Sequence, residues 1–177
     1  MNVVDTAKAQ VKQIVEKVTD KVTDKVTDTV SSNARIQAVT IGRPRNEVMH
    51  RFQDAGFLSQ VFGDVADVSE AGPERLRWTF KFDGNGGTAW DCVVATEDDA
   101  QLRFVDVNPD KDASIVLNFR DAPQDRGTEV IARTTSPAPG VITGPLTFKA
   151  LYRARALLTT GEVPTIQHNP SARDSDR

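Results

Sequence analysis

The strongest constraint on the fold is an alternation of apolar and polar residues that recurs from Val65 to Thr135. It is clearest in the segment RLRWTFKF, where every second residue is apolar: Leu76, Trp78, Phe80 and Phe82. A period of two predicts a β-strand with one buried face. The pattern returns in four later groups: Trp90, Cys92 and Val94; Leu102 and Phe104; Ile115, Leu117 and Phe119; Val130 and Ala132. Polar joints separate these groups, so the sequence predicts a meander of antiparallel strands.

The glycine-rich segment DGNGG, residues 83–87, allows two interpretations. A phosphate-binding loop leads from a strand into a helix, so that backbone N–H groups converge on the anion. Here the glycines lead into another alternating segment, and no Lys-Ser or Lys-Thr pair follows Gly87. The segment is therefore predicted to be a hairpin loop, in which Gly and Asn supply positive φ angles.

Other elements are predicted on both sides of the meander. Arg35 to Ile41 alternates as a short strand, Pro44 is well placed to begin a helix, and AGFLSQVF predicts a second short helix. The segment LTFKALYRARALLTT, residues 146–160, predicts a longer helix that ends at Gly161. The predicted class is α+β, with a curved antiparallel sheet wrapped around the C-terminal helix.

The predicted C-terminal helix has a thin inward side, formed by Thr147 or Phe148 together with Leu151, Ala154 and Leu158. The buried side of the sheet, in contrast, carries both tryptophans and several phenylalanines. A strongly curved sheet closed by a slim helix can leave a cavity between the two layers. Tight packing is the alternative, because protein interiors contain few voids.

The two ends of the chain differ from the middle. Residues 2–33 contain no aromatic residue, glycine or proline, and the tetrapeptide KVTD occurs three times. An apolar stripe at helical spacing runs through Val4, Ala7, Val11, Ile14 and Val18, but the later valines recur every fourth residue and wind around a helix. The preferred interpretation is a solvated, helical or disordered extension; the alternative is an amphipathic helix that contacts a partner or a membrane surface. We predict an extension at residues 1–34, a folded domain at 35–161 and a flexible tail at 162–177.

Composition excludes several classes of function. The net charge is −3 and the sequence pI is about 5.4, so the chain has no overall basic field that would attract nucleic acid. Arg43, Arg45 and Arg51 form a local basic cluster, which we interpret as a solvated face. A single cysteine excludes an intrachain disulfide. With no long apolar run in the sequence, the prediction is a soluble cytoplasmic protein, with a peripheral membrane position as the alternative.

Few residues are suited to catalysis or metal binding. His50 and His168 are the only histidines, so neither a histidine metal site nor a Ser-His-acid triad is predicted, and no cofactor is expected. Cys92 shares the parity of Trp90 and is predicted to behave as a small buried apolar group. Asp106 shares the parity of Phe104, and a carboxylate in such a position could act as an acid or base.

Several short sequence segments resemble those of a known family. They are VTIGRPRNEVMHRF, RWTF followed by AWDCVVATED, GTEV, SPAPG and LLTTGEVPT, spread over roughly residues 35–168. In their order, and in the order of predicted elements, the chain resembles the polyketide cyclase/dehydrase branch of the START-like (SRPBCC) superfamily, which has the helix-grip fold.

This resemblance implies an internal apolar pocket that binds a lipid, an isoprenoid or a polyketide-like molecule, without catalysis in many members. The expected ligand-binding residues are Trp78, Phe80, Trp90, Phe104, Leu117, Leu151 and Tyr152. If the protein is instead an enzyme, it would be a cyclase- or dehydratase-like lyase with Asp106 and Tyr152 as proton-transfer groups. A further alternative assigns the function to residues 2–33, as an arm that binds a partner or a membrane surface. The oligomeric state is not predicted.

Overall fold

The computed structural model describes residues 35–81, 88–111, 113–135 and 144–164. Their strands are β1 (Arg35–Ile41), β2 (Ala66–Gly72), β3 (Arg75–Phe80), β4 (Ala89–Glu97), β5 (Gln101–Asp106), β6 (Ser114–Asp121) and β7 (Thr128–Thr135). Their α-helices are α1 (Arg45–Arg51), α2 (Ala55–Phe62) and α3 (Gly144–Thr160), and a short 3-10 turn spans Pro123–Asp125. The predicted hairpin loop at 83–87, the N-terminal extension and most of the C-terminal tail with His168 lie outside these residues.

The seven described strands form one antiparallel sheet in the order β1-β7-β6-β5-β4-β3-β2. The chain begins at one edge with β1, crosses through α1 and α2 to the opposite edge, and then returns strand by strand until β7 pairs with β1. The sheet and the C-terminal helix that packs on it confirm the predicted α+β, helix-grip class. The predicted alternation did not single out β2, because only Ala66 and Val68 of this edge strand are buried.

Local sequence signals set the ends of the helices. Pro44 directly precedes α1, and the side chain of Asp54 caps α2 by accepting a hydrogen bond from the Phe57 backbone N–H at 2.5 Å. Gly161 follows α3 with φ +79°, and its N–H donates to the Leu157 carbonyl at 3.0 Å. A positive φ after the last helical residue favours glycine, so the predicted end of this helix is confirmed.

All three described helices contribute to one apolar core on one face of the sheet. The α3 residues buried in it are small or medium in size: Thr147, Ala150, Leu151, Ala154 and Leu158. Of the two residues proposed for the start of this stripe, Thr147 is buried and Phe148 is 51% exposed. The backbone of α3 comes closest to β1 and α2, so large side chains of the central strands must fill the space beneath the helix.

Candidate functional site: an apolar cavity beside Trp78

The core is organised around the indole of Trp78. Trp78 pairs across the sheet with Trp90, and their ring centroids are 5.9 Å apart. Phe62 from α2 meets the Trp78 ring edge to face at 4.9 Å, and Phe104 from β5 does so at 6.3 Å. Phe80 stacks against it at 6.4 Å. Such aromatic pairs stabilise a fold by more than the burial of their surface area alone. Through these contacts Trp78 connects three strands, β3, β4 and β5, to α2.

A small cavity of about 30 Å³ lies between this aromatic cluster and α3. Its lining is apolar except for one hydroxyl-bearing residue, and consists of Phe52, Leu58, Phe62, Trp78, Phe104, Ile115, Leu117, Thr147, Ala150 and Leu151. The predicted space between the sheet and the terminal helix is therefore present. It is far smaller than the ~300 Å³ or more of typical ligand pockets.

The predicted ligand-binding residues divide into three groups. Trp78, Phe104, Leu117 and Leu151 line the cavity. Phe80 and Trp90 are buried in the second layer, against Trp78. Tyr152, however, does not line the cavity and is 51% exposed, so its placement in the wall is corrected. It follows Leu151 by one residue, which turns its side chain ~100° away around the helix.

The sequence patterns did not predict the part of the cavity wall that Phe52 and α2 provide. Phe52 follows α1, and Leu58 and Phe62 belong to α2. Phe52 also contacts Phe119 of β6 edge to face, with ring centroids 5.8 Å apart. The sequence does contain a signal for this contribution. AGFLSQVF has more large apolar residues than a single narrow stripe of an amphipathic helix requires.

Asp106 is 4% exposed but does not line the cavity. Its Oδ2 accepts a hydrogen bond from Trp90 Nε1 at 3.1 Å, and its Oδ1 accepts one from the backbone N–H of Asn108 at 2.8 Å. Both oxygens therefore have structural partners, which fix the Trp90 ring and the chain after β5. The structure does not bring Asp106 and Tyr152 together in the cavity wall.

Polar contacts hold α3 near its middle and at its end. Towards the middle, Asp64 Oδ2 accepts hydrogen bonds from Lys149 Nζ and Arg153 Nη1, each at 2.9 Å. The Lys149 hydrogen bond, with the charge of Arg153, lowers the pKa of Asp64. At the far end, Arg43 Nε donates to the Leu158 carbonyl at 2.9 Å, where a cation is favoured by the helix dipole. Arg43 is thus a helix-binding residue as well as part of an exposed basic cluster.

Cys92 lies in the core next to this cluster, as predicted, and is fully buried. Burial raises the pKa of its thiol to about 12, because the thiolate would lose its hydration. The Trp78 indole N–H lowers the thiol pKa in the opposite direction, although Nε1 makes no well-formed hydrogen bond among the described residues. The thiol is therefore an apolar packing group in the folded protein.

This shifted pKa predicts an alkaline loss of stability. An unfolded thiol ionises near pH 9.0 and the folded one only near 12, so the contribution of Cys92 is complete below pH 9 and declines above it. The slope should approach about 1.4 kcal/mol of unfolding free energy per pH unit. Urea unfolding of the wild type and Cys92→Ala between pH 8 and 11 measures it. Equal slopes in the two proteins would contradict the assignment.

The described part of the chain offers few side chains suited to metal binding or nucleophilic catalysis. No group of three or more His, Cys, Asp or Glu side chains is arranged to hold a metal ion among those residues. His50 and Glu47 are exposed on α1. No helix within the described ranges is long and apolar enough to cross a membrane.

The described elements have the START-like (SRPBCC, helix-grip) fold, with a small apolar cavity under the C-terminal helix. Solved structures with the same fold include protein DR_A0006 from Deinococcus radiodurans, with 25% sequence identity, a TM-score of 0.60 and coverage of 74% of this chain and 100% of that chain. Ms6760 from Mycobacterium smegmatis is 18% identical with a TM-score of 0.54, covering 76% of this chain and 96% of the other. The Aha1 dimer from Colwellia psychrerythraea is 13% identical with a TM-score of 0.51, covering 73% and 98%.

No protein-family model matches the sequence, and no curated protein matches it either. The structural likenesses therefore show the fold alone.

Proposed function

We propose that this protein binds a hydrophobic small molecule between the sheet and α3, without catalysing a reaction, and that it belongs to the polyketide cyclase/dehydrase branch of its superfamily. The observation that supports binding is the apolar cavity beside Trp78, whose walls come from the sheet, α2, α3 and Phe52, the residue that follows α1. A lipid, an isoprenoid or a polyketide-like compound fits the chemistry of these walls.

A ligand of this size fits between the sheet and α3 only if the cavity expands. A volume of about 30 Å³ admits only one or two water-sized molecules. The Asp64–Lys149 ion pair on α3 is weak, because both side chains are at least half exposed, and surface ion pairs contribute ~0–1 kcal/mol. Arg153, the second partner of Asp64, is held more firmly, with a side chain only 10% exposed. An apolar ligand that buries ~200 Å² would gain about 5 kcal/mol before the costs of ordering are subtracted. This gain has to offset the cost of moving the buried α3 residues Leu151, Ala154 and Leu158 away from the sheet.

Two alanine-to-leucine substitutions on the same helix test the location of the site. Ala150 lines the cavity, whereas Ala156 is partly exposed and does not. Ala150→Leu should fill the cavity and weaken binding of the neutral apolar dye N-phenylnaphthylamine by about tenfold or more. Ala156→Leu should bind the dye as the wild type does. Fluorescence titration gives the affinities, and circular dichroism confirms folding.

Two results would contradict the proposal. One is a wild-type protein with no saturable dye binding. The other is equal binding by the two variants, which would place the dye elsewhere on the surface.

The enzymatic alternative has less support from the geometry. Asp106 is a buried carboxylate on a strand that contributes to the cavity wall, yet both its oxygens accept structural hydrogen bonds. Tyr152, the other candidate, faces away from the cavity. Asp106→Asn would separate the two functions, because a binding protein should retain ligand capture and a cyclase or dehydratase should lose turnover.

A further inference from the structure

The face of the sheet opposite the helices contains a second buried region. It consists of Val93 and Ala95 of β4, Arg103 and Val105 of β5 and Ser114 of β6, which we call the outer patch. Strand pairing joins them directly: Val93 lies opposite Val105, Val105 opposite Ser114, and Arg103 opposite Ala95. These residues alternate with Phe104 and Cys92, which point into the core, so the outer patch faces the other way.

The three described helices pack on the other face of the sheet, so they do not cover the outer patch. The apolar core that includes all three helices does not include Val93, Ala95 or Val105. Residues around the outer patch on the same face, such as Arg77, Thr79 and Arg133, are exposed, as an uncovered sheet surface would be. A sheet that is buried on both faces needs a packed layer on each.

Arg103 is the outer-patch residue whose burial is least expected on an open sheet face. Long arginine side chains on an open sheet face extend into water, yet Arg103 is only 5% exposed. Its Nη1 pairs with Glu97 at 3.0 Å, whereas its Nε is buried and has no partner among the described residues. A buried guanidinium N–H is costly when unpaired, so the covering segment should offer an acceptor.

The position of β1 indicates which segment can reach the outer patch. Thr134 of β7 lies opposite Arg35, the first residue of β1, and Thr135 lies opposite Ser114. The chain therefore enters β1 level with the row that contains Ser114, Val105 and Val93. These residues are two, three and four strands away from β1, or ~10–19 Å at the usual strand spacing. Thirty-two residues, 2–33, precede this point and span ~48 Å even as a helix.

The chemistry of residues 2–33 also suits the outer patch. The stripe of Val4, Ala7, Val11, Ile14 and Val18 provides aliphatic side chains of the size found in the outer patch, and five acidic residues lie in the same segment. Residues 136–143 must connect β7 to α3 on the opposite face, and residues 165–177 contain only one large aliphatic residue, Ile166. Residues 82–87 contain one large apolar residue, Phe82, and residues 136–143 contain two, Val141 and Ile142. Each of these segments offers less apolar surface than residues 2–33.

We propose that the N-terminal segment docks as an amphipathic helix on the outer face of the sheet, with its aliphatic stripe on the outer patch and an acidic side chain at Arg103. The sheet then carries a ligand-binding layer on one side and an intramolecular cover on the other. This assignment is independent of the proposed ligand. The aliphatic stripe thereby has a binding surface within the same chain. The KVTD repeats follow the stripe in the sequence.

Cysteine labelling in the full-length chain tests this docking. The native thiol, Cys92, is buried and has a pKa of about 12, so it provides an unreactive background. A new thiol at Ala95→Cys should react slowly with a maleimide, and one at exposed Thr79→Cys should react fast. Adding Val11→Asp and Ile14→Asp should accelerate Ala95→Cys by roughly tenfold or more. The matched pair Ala9→Asp and Gln13→Asp, which adds the same charge on the side of the helix away from the stripe, should not.

Three outcomes would overturn the proposal. Fast labelling of Ala95→Cys in the otherwise unchanged chain, or equal rates in both aspartate pairs, would show that another part of the chain or none covers the outer patch. Protection that increases with protein concentration would assign the cover to a second copy of the chain. Should Ala95→Cys fail to fold, the nearly isosteric Ser114→Cys reports on the same outer patch with the same expected order of rates.

Discussion

Trp78→Ala is expected to lower the free energy of unfolding by about 3–5 kcal/mol. Trp78 is 1% exposed and contacts Phe62, Phe80, Trp90 and Phe104, so its removal leaves a void at the junction of the sheet and α2. Chemical denaturation followed by circular dichroism measures the loss. Since Trp78 also lines the cavity, the folded fraction of this variant should bind N-phenylnaphthylamine with altered affinity.

Phe148→Ala is the control for this prediction. Phe148 is an aromatic residue of α3 that is 51% exposed, and surface truncations of this kind usually change stability by less than ~1 kcal/mol. If Trp78→Ala and Phe148→Ala had similar costs, Trp78 would not be at the centre of the core and the described geometry of the site would be wrong.

Gly127→Ala is expected to have the second large effect, a loss of about 3 kcal/mol or more. Gly127 precedes β7 with φ +101°, and a Cβ there would overlap the Ile41 carbonyl oxygen and lie 2.7 Å from the Arg43 backbone nitrogen. These neighbours are backbone atoms at the end of β1, so they cannot move aside as a flexible side chain would. Thr128 Oγ1 also donates to the Arg43 carbonyl at 2.8 Å, which ties the same junction together.

Gly72→Ala separates the two causes. Gly72 also has a positive φ, +138°, but a Cβ there would meet nothing within 4 Å. Its substitution should therefore cost only the backbone strain, ~1–3 kcal/mol. Thermal or urea unfolding of the two variants gives the comparison, and an equal or larger loss for Gly72→Ala would refute the close approach at Gly127.

Much of the fold follows from local patterns in the sequence. Alternation alone predicts the strands that carry Trp78, Trp90, Phe104 and Leu117, because a large apolar residue at every second position is typical of a strand with one face in the core. Glycine at 161 and proline at 44 mark helix ends for stereochemical reasons that do not depend on tertiary context. Edge strand β2 has little such signal, since most of its side chains face solvent.

The sequence predicts the inward stripe of α3 except at its start, where Thr147 and Phe148 are both candidates. The structure buries Leu151, Ala154 and Leu158 as predicted, together with Thr147, and leaves Phe148 51% exposed. Tyr152, which was expected in the cavity wall, is also 51% exposed. The reason is volume: the indole and phenyl rings of the sheet already fill the interior, so only small side chains fit beneath the helix. This balance between two layers cannot be read from either segment alone.

Two further features depend on contacts that are distant in sequence. The size of the cavity is set by Phe52, Leu58 and Phe62, whose approach to Trp78 depends on how α1 and α2 pack. The outer patch did have a signal, because the run Cys92-Val93-Val94-Ala95 is apolar at consecutive positions, which is typical of a strand buried on both faces. The alternation of the neighbouring strands, in contrast, predicts only one buried face.

Isotope-edited NMR tests most directly the central claim, that an apolar molecule binds between the sheet and α3. With methyl-labelled full-length protein and N-phenylnaphthylamine, we expect nuclear Overhauser effects from the dye to the methyl groups of Ile115, Leu117 and Leu151. Dye contacts restricted to residues outside the cavity, such as the exposed Phe148 and Tyr152 rings, would contradict the claim, as would a protein that shows no contact with the dye.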